Sequence, residues 1–338
     1  MRHHLIAAVV LRLIVAQSSA HAQESKPDGL KALDHFVGSW STTGTNKVDG
    51  SKSTVKESTA WILKDRFILG RESSQPDGVK SLWLMTFDPE SRTYPFWYFN
   101  NKGVLGGEWG STWNEATKTL TGKATDTPPG WTSGGTNHFP DKNSNHAAFW
   151  MKDDSGKMLF DVEAKKTRQP DEAGKGMVAA WSKLGTAEPP LPTELKILER
   201  MIGNWDATSV SKPAEWTPQE VRTTSKVTRK WILDGHFVQD TAEISDGTQS
   251  IALTSYDPQM KAYRAWWFNS KGNKSTPTGQ WDSGSKTISY QSDLGNGITA
   301  RNSVRFIDMD NEEWNVVIKD GDGKLYLDLN VKSKRRKE

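Results

Sequence analysis

The chain has 338 residues, no cysteine, 16 tryptophans and a formal net charge of +3. The lack of cysteine excludes disulfides, thiolate metal sites, cysteine nucleophiles and lipid attachment through an N-terminal cysteine. Near-neutral charge gives no electrostatic footprint for a nucleic-acid partner.

In chain order, residues 1–22 read as an export signal. Met1-Arg2-His3-His4 is a basic start, an apolar stretch runs from Leu5 to Ala16 with Arg12 interrupting it, and Ala20-His21-Ala22 has the small-x-small pattern of a signal-peptidase site. Cleavage after Ala22 would expose Gln23 and leave a net charge of about +1, because Arg2 and Arg12 depart with no acid. The expected location is outside the cytoplasm, periplasmic or secreted. No later segment is apolar enough to span a bilayer as a helix.

A first unit is expected over 29–168. It opens with a short helix in which Leu30, Leu33 and Phe36-Val37 recur at helical spacing, with Asp28 as candidate N-cap and Gly38 at the stop. About nine short strands are expected to follow, rich in Thr, Val, Ile and aromatic residues and broken at Asp49-Gly50, Asp77-Gly78 and Ser155-Gly156. Residues 169–192 read as a linker. Pro189, Pro190 and Pro192 favour an extended spacer, while Met177-Val178-Ala179-Ala180-Trp181 is apolar enough to dock on the first unit. A second unit is expected over 193–335. It repeats the plan: Thr193 as candidate N-cap, Leu195, Leu198 and Met201-Ile202 at helical spacing, Gly203 at the stop, then strands broken at Asp246-Gly247 and Asp322-Gly323.

The two units share residues as well as plan. Gly38-Ser39-Trp40 returns as Gly203-Asn204-Trp205, and Trp61-Ile62-Leu63 with Phe67 returns as Trp231-Ile232-Leu233 with Phe237. Phe87-Asp88-Pro89 returns as Tyr256-Asp257-Pro258. Tyr94, Trp97, Phe99, Asn100, Lys102 and Gly103 return as Tyr263, Trp266, Phe268, Asn269, Lys271 and Gly272 at the same spacing. Order and spacing kept over such a span mean one fold present twice. A residue found in both copies serves what both share, the fold first of all. Lys64-Asp65-Arg66 stands where the second copy has Asp234-Gly235-His236, so that turn is expected to be looser in the first copy.

A short helix, then Gly-x-Trp opening the first strand, then Trp-Ile-Leu, Tyr-Asp-Pro and an aromatic strand resembles the calycin superfamily of lipocalins and fatty-acid-binding proteins. More narrowly it resembles the bacterial family known as domain of unknown function 1579, in two tandem copies. The resemblance implies an all-β protein of two antiparallel lipocalin-like barrels. It further implies that Arg168 and Arg335, at the ends of the two final strands, cover Trp40 and Trp205 at the barrel floors. It also implies an interior that holds a small apolar or amphipathic ligand.

On that basis Trp97, Phe99, Trp266 and Phe268, on the aromatic strands Tyr94–Asn100 and Tyr263–Asn269, are the candidate wall of a ligand cavity. Barrels filled by their own large side chains are the structural alternative. Trp109, Trp131 and Trp216 lack counterparts and read as loop tryptophans able to meet a partner. His138 or His146 would be the axial ligand if a haem were held, but no second shell points to one, and neither acidic cluster, Asp308 to Glu312 or Asp320 to Gly323, fits a calcium loop. No nucleophile elbow, phosphate loop or dinucleotide fingerprint is present. The expectation is a non-enzymatic binding protein without cofactor or metal. A structural protein with filled barrels is the first alternative. An enzyme on a lipid or sugar is the second, and a buried carboxylate pair with separated pKa values would favour it.

Overall fold

The computed structural model describes residues 27–104, 108–125, 127, 130–183 and 193–337. The export signal expected over 1–22 and the proline cluster at 188–192 lie outside them. The described chain forms two compact units, one before and one after residue 187.

In the first unit a 3-10 helix, Asp28–His35, precedes ten strands: β1 (Gly38–Asn46), β2 (Lys52–Ile62), β3 (Phe67–Gln75), β4 (Lys80–Met85), β5 (Phe96–Asn100), β6 (Trp109–Asn114), β7 (Thr119–Ala124), β8 (Thr132–Asp141), β9 (Ser144–Lys152) and β10 (Met158–Gln169). Each pairs antiparallel with its sequence neighbours, and β1 pairs with β10, closing barrel 1. In the second unit α2 (Thr193–Lys196) runs into a 3-10 turn, Ile197–Met201. The strands are β11 (Gly203–Ser211), β12 (Val221–Ile232), β13 (Phe237–Ile244), β14 (Gln249–Asp257), β15 (Ala262–Asn269), β16 (Lys274–Ser275), β17 (Thr278–Asp282), β18 (Thr287–Asp293), β19 (Thr299–Phe306), β20 (Asn311–Lys319) and β21 (Leu325–Arg335). Pairing of β11 with β21 and of β14 with β15 closes barrel 2, with the two-residue β16 appended to β15. The two tandem antiparallel barrels are therefore as expected. Each has ten staves rather than about nine.

Three local expectations are corrected. Asp28 is the first helical residue rather than the cap; Pro27 holds the cap position, and the Asp28 carboxylate pairs with Lys31 at 2.8 Å. The linker expected over 169–192 docks on the first unit through its apolar run, as expected, but does so as a helix rather than as an extended segment. Asp171–Trp181 is a helix, α1, packed on β1, β2 and β3, with Met177 and Trp181 buried and Trp181 Nε1 donating to the Ser81 carbonyl at 3.1 Å. The turn after β2 is not looser than its repeat. Leu63, Lys64 and Asp65 take the same left-handed conformation (φ 52°, 54°, 60°) as Leu233, Asp234 and Gly235 (φ 51°, 55°, 88°). Asp tolerates that region well enough to stand in for glycine.

The recurring residues explain themselves locally. Tyr94 and Tyr263 donate their hydroxyls to the carbonyls of Gly29 (2.8 Å) and Glu194 (2.7 Å), tying each opening helix to its barrel. Asp88 and Asp257 accept two turn N–H groups each. Asn100 and Asn269 do likewise at the end of the aromatic strand.

Candidate functional site

Strand parity decides what faces each interior. Residues directly opposite one another in a ladder share a face. Trp40 sits opposite Arg168 and Glu57, Glu57 opposite Glu72, Gly70 opposite Trp83, and Trp83 opposite Tyr98. That face is the inside of barrel 1, where Phe36, Trp40, Trp83 and Phe139 form the core against the opening helix.

The floors are built identically. Trp40 Nε1 donates to the Phe36 carbonyl (2.9 Å) and Trp205 Nε1 to the Met201 carbonyl (2.8 Å). Arg168 and Arg335 each lie 4.2 Å from the indole centroid, a cation–π contact of about 0.5–2 kcal/mol. Arg168 donates to the carbonyls of Val37, His35 and Lys142; Arg335 donates to those of Ile202, Arg200 and Met309. Gly38 and Gly203 are required here, since φ is +125° and +127° and a Cβ would fall 2.2 Å and 2.5 Å from the guanidinium nitrogens.

Above its floor barrel 1 carries a buried polar centre. Lys166 Nζ donates to Glu57 Oε2 at 2.8 Å, and Thr59 Oγ1 donates to Glu57 Oε1 at 2.9 Å. Glu72 accepts from Ser81 Oγ (2.8 Å) and Trp83 Nε1 (3.2 Å). Burial, then the neighbouring Glu57 charge, pushes the Glu72 carboxyl above its ordinary range, against the pull of Lys166, Ser81 and Trp83. Burial acts to lower the Lys166 ammonium, but the charges of Glu57 and Glu72 outweigh it and hold it above the usual lysine value. The Tyr98 hydroxyl is pushed up to about 12 by burial and by Glu72. Beside this group Asn145, opposite Lys166, has a buried Oδ1 without a donor among the described residues, and Thr42 Oγ1 is likewise unpartnered. At the far end the inward face turns apolar. Trp109 packs on Phe96 and Phe149, Met151 faces Phe160, and Phe160 and Trp131 are 42% and 40% exposed at that mouth.

Barrel 2 fills the corresponding space. Arg229 donates from Nε to Asp240 and from Nη1 to Glu312, each at 2.6 Å, and lies between the rings of Trp205 and Trp314. Burial raises the Asp240 carboxyl, opposed by Arg229. At the far end Trp216 packs among Ala300, Ile318 and Leu327, with the Tyr326 ring at 5.3 Å. Its loop is pinned to β21 by N–H groups of Glu215 and Trp216 donating to the carbonyls of Leu325 and Tyr326.

The predicted wall residues lie elsewhere. Trp97 and Phe99 are opposite Leu84 and Leu82, and Trp266 and Phe268 opposite Leu253 and Ile251. All four are on the outer face of their strands, exposed by no more than 1%. The inward positions belong to Phe96 and Tyr98 in β5 and to Ala265 and Trp267 in β15. With aromatics at both parities, composition could not select the face; only the register to Trp40 and Trp205 does. Trp216 is a buried plug and Trp109 a strand residue, so of the three unmatched tryptophans Trp131 alone is an exposed loop residue. His138 and His146 are cross-strand neighbours, rings 6.1 Å apart, on the outer face, and cannot reach a ligand inside. Asp153 and Asp320 cap turns through N–H groups of Ser155 and Lys157 and of Asp322 and Lys324. Among the described residues no group of three or more His, Asp or Glu side chains could hold a metal ion, and no helix is long and apolar enough to cross a membrane.

Sequence reasoning missed Glu57, Glu72, Lys166 and Asn145. A signal was present: Val55, Glu57, Thr59 and Trp61 alternate in one phase, as do Val162, Ala164, Lys166 and Arg168, so a charge sits in step with the dry face of two strands.

Residues 192–335 match the family described as "Protein of unknown function (DUF1579)". No curated protein matches the chain. Among solved structures, a DUF3598-family protein of unknown function from Nostoc punctiforme is similar over 92% of this chain and 100% of its own, at 11% identity and TM-score 0.29. Rv2717c from M. tuberculosis is similar over 44% of this chain and 99% of its own, at 14% identity and TM-score 0.34. The S-type phycobiliprotein lyase CPES from Guillardia theta is similar over 44% and 95%, at 14% identity and TM-score 0.30. None of these likenesses bears on chemistry.

Proposed function

We propose that the protein is an exported, non-enzymatic carrier of a small amphipathic molecule, and that barrel 1 is the compartment that holds it. The observation that carries this reading is the contrast between the mouths of the two barrels, since barrel 2 also keeps unpartnered inward atoms, Glu312 Oε2 and Asn302 Oδ1. Barrel 1 places an apolar, half-exposed mouth (Trp109, Phe149, Met151, Phe160) over a polar centre with the unpartnered Asn145 Oδ1 and Thr42 Oγ1. Barrel 2 closes the same end with Trp216. A buried polar atom without a partner costs about 1–3 kcal/mol, which a ligand hydroxyl or amine donating to Asn145 would recover. The apolar part of the ligand would then lie against the aromatic mouth, where burial contributes roughly 25 cal/mol per Å². The family resemblance of the first copy to DUF1579 belongs to the same proposal.

A second reading has one observation in its favour. Glu57 and Glu72 are opposite each other on the inner face, and Glu72 is raised, which is how a general acid is prepared. It ranks lower because Glu57 already accepts on both oxygens and Glu72 also accepts on both, so neither is presented to a substrate. Native mass spectrometry of protein from its own host, with organic extraction, separates the readings. One retained molecule per chain, lost in Asn145→Leu, supports the carrier. An apo mass for the wild-type protein rejects it, and release of a chemically altered molecule would establish turnover.

A further inference from the structure

The outer surface of barrel 2 carries a groove of about 710 Å³ across β17 to β20, within the size range of small-molecule sites. Its lining is unlike an interior. Cross-strand register sets Gln280, Ser289, Ser303 and Asn315 in one outward row and Thr278, Gln291, Arg301 and Val317 in the next, with Thr299 opposite Lys319 beyond. Arg301 and Lys319 are diagonal neighbours on one face and both are exposed.

Two facts bear on the charge of this groove. Charges flanking the groove are paired: Arg305 with Glu313 at 2.6 Å, and Asp328 with Lys212 at 2.9 Å. The Arg301 guanidinium and the Lys319 ammonium have no hydrogen bond or ion pair among the described residues. The nearby Asp320 is committed to its turn and to Tyr326, and Asp293, opposite Thr299, caps Gly295. The second fact is the internal control. In barrel 1 the corresponding register pair is Gly134 with Trp150, where Arg301 pairs with Val317 in barrel 2. The Trp150 ring lies across Gly134, so close that a Cβ there would meet Cζ2 at 2.6 Å, and Lys152 sits over that ring at 5.5 Å. The groove is thus a property of one copy, and the shared fold does not require it.

We infer that this groove binds an anionic sugar, one carrying a phosphate or sulfate group. Arg301 and Lys319 would take the anion through charge-assisted hydrogen bonds, while Gln280, Ser289, Gln291 and Ser303 offer the donors and acceptors that ring hydroxyls match. The site is independent of the carrier role of barrel 1.

Amide-shift titration of the full chain at low salt, with glucose 6-phosphate, galactose 6-sulfate, glucose and inorganic phosphate as probes, tests this. At least one anionic sugar should bind about tenfold more tightly than both glucose and inorganic phosphate, shifting Gln291 and Ser303. Arg301→Gln should weaken it about tenfold. Val317→Trp with Arg301→Gly, which copies the arrangement barrel 1 already folds with, should abolish it, while Arg305→Gln outside the groove should not. Equal binding of inorganic phosphate, no preference over glucose, or indifference to the Arg301 variants overturns the assignment.

Discussion

Arg168 and Arg335 show how much one side chain can settle at a barrel end. Each guanidinium covers an indole and satisfies three main-chain carbonyls, so a single residue closes the floor both sterically and by hydrogen bonding. Glu72 is the opposite case, a carboxyl whose surroundings disfavour its charge. Its folded-state pKa is raised above the unfolded value of about 4.3. Below that value the group is neutral in both states and its contribution is fully present. As pH rises the unfolded chain releases the proton first, so stability falls until the folded group ionises. Glu72→Gln should therefore flatten the pH dependence and melt above the wild-type protein on the alkaline side of that window. Thermal melts from pH 4 to 8 measure it, and parallel curves for the two proteins would contradict it.

At the level of elements, the two copies differ in the connection between their first and second strands. Residues 47–51 form a short turn in barrel 1, whereas 212–220 form a longer loop that delivers Trp216 into barrel 2. Trp216→Ala should cost about 3–5 kcal/mol as a core truncation, read by denaturant unfolding, and should let barrel 2 take up an apolar dye that the wild-type barrel 2 excludes. The Gly-x-Trp glycine is a second element-level constraint. Gly203→Ala places a methyl group against Arg335 at a φ that L residues rarely adopt, and should destabilise by about 1–3 kcal/mol or more, again by unfolding. A neutral effect at either position would mean that loop or floor relaxes freely.

For the whole molecule, the duplication is what the sequence displayed most clearly, and the carrier proposal depends on where it breaks down. Export is the prediction at this scale: intact mass of the protein recovered outside the cytoplasm should begin at Gln23, and a retained Met1 would refute the processed signal. The repeated Trp, Tyr, Asp, Asn and Gly residues were legible because each serves a local turn, tether or floor contact that recurs at fixed spacing. Glu57, Glu72 and Lys166 were not singled out, because their meaning lies in being brought together from β2, β3 and β10, with Lys166 more than a hundred residues from Glu57. The sequence by itself determined an all-β plan of short strands present twice, since periodicity, turn chemistry and repetition are local or self-comparing signals; closed barrels with Trp–Arg floors were what the resemblance to the lipocalins implied. Only the tertiary structure decided which face of the aromatic strands looks inward, which barrel is plugged and which unpaired polar groups meet. Strand parity has a period of two, and a one-residue change of register exchanges inside for outside without altering a single residue.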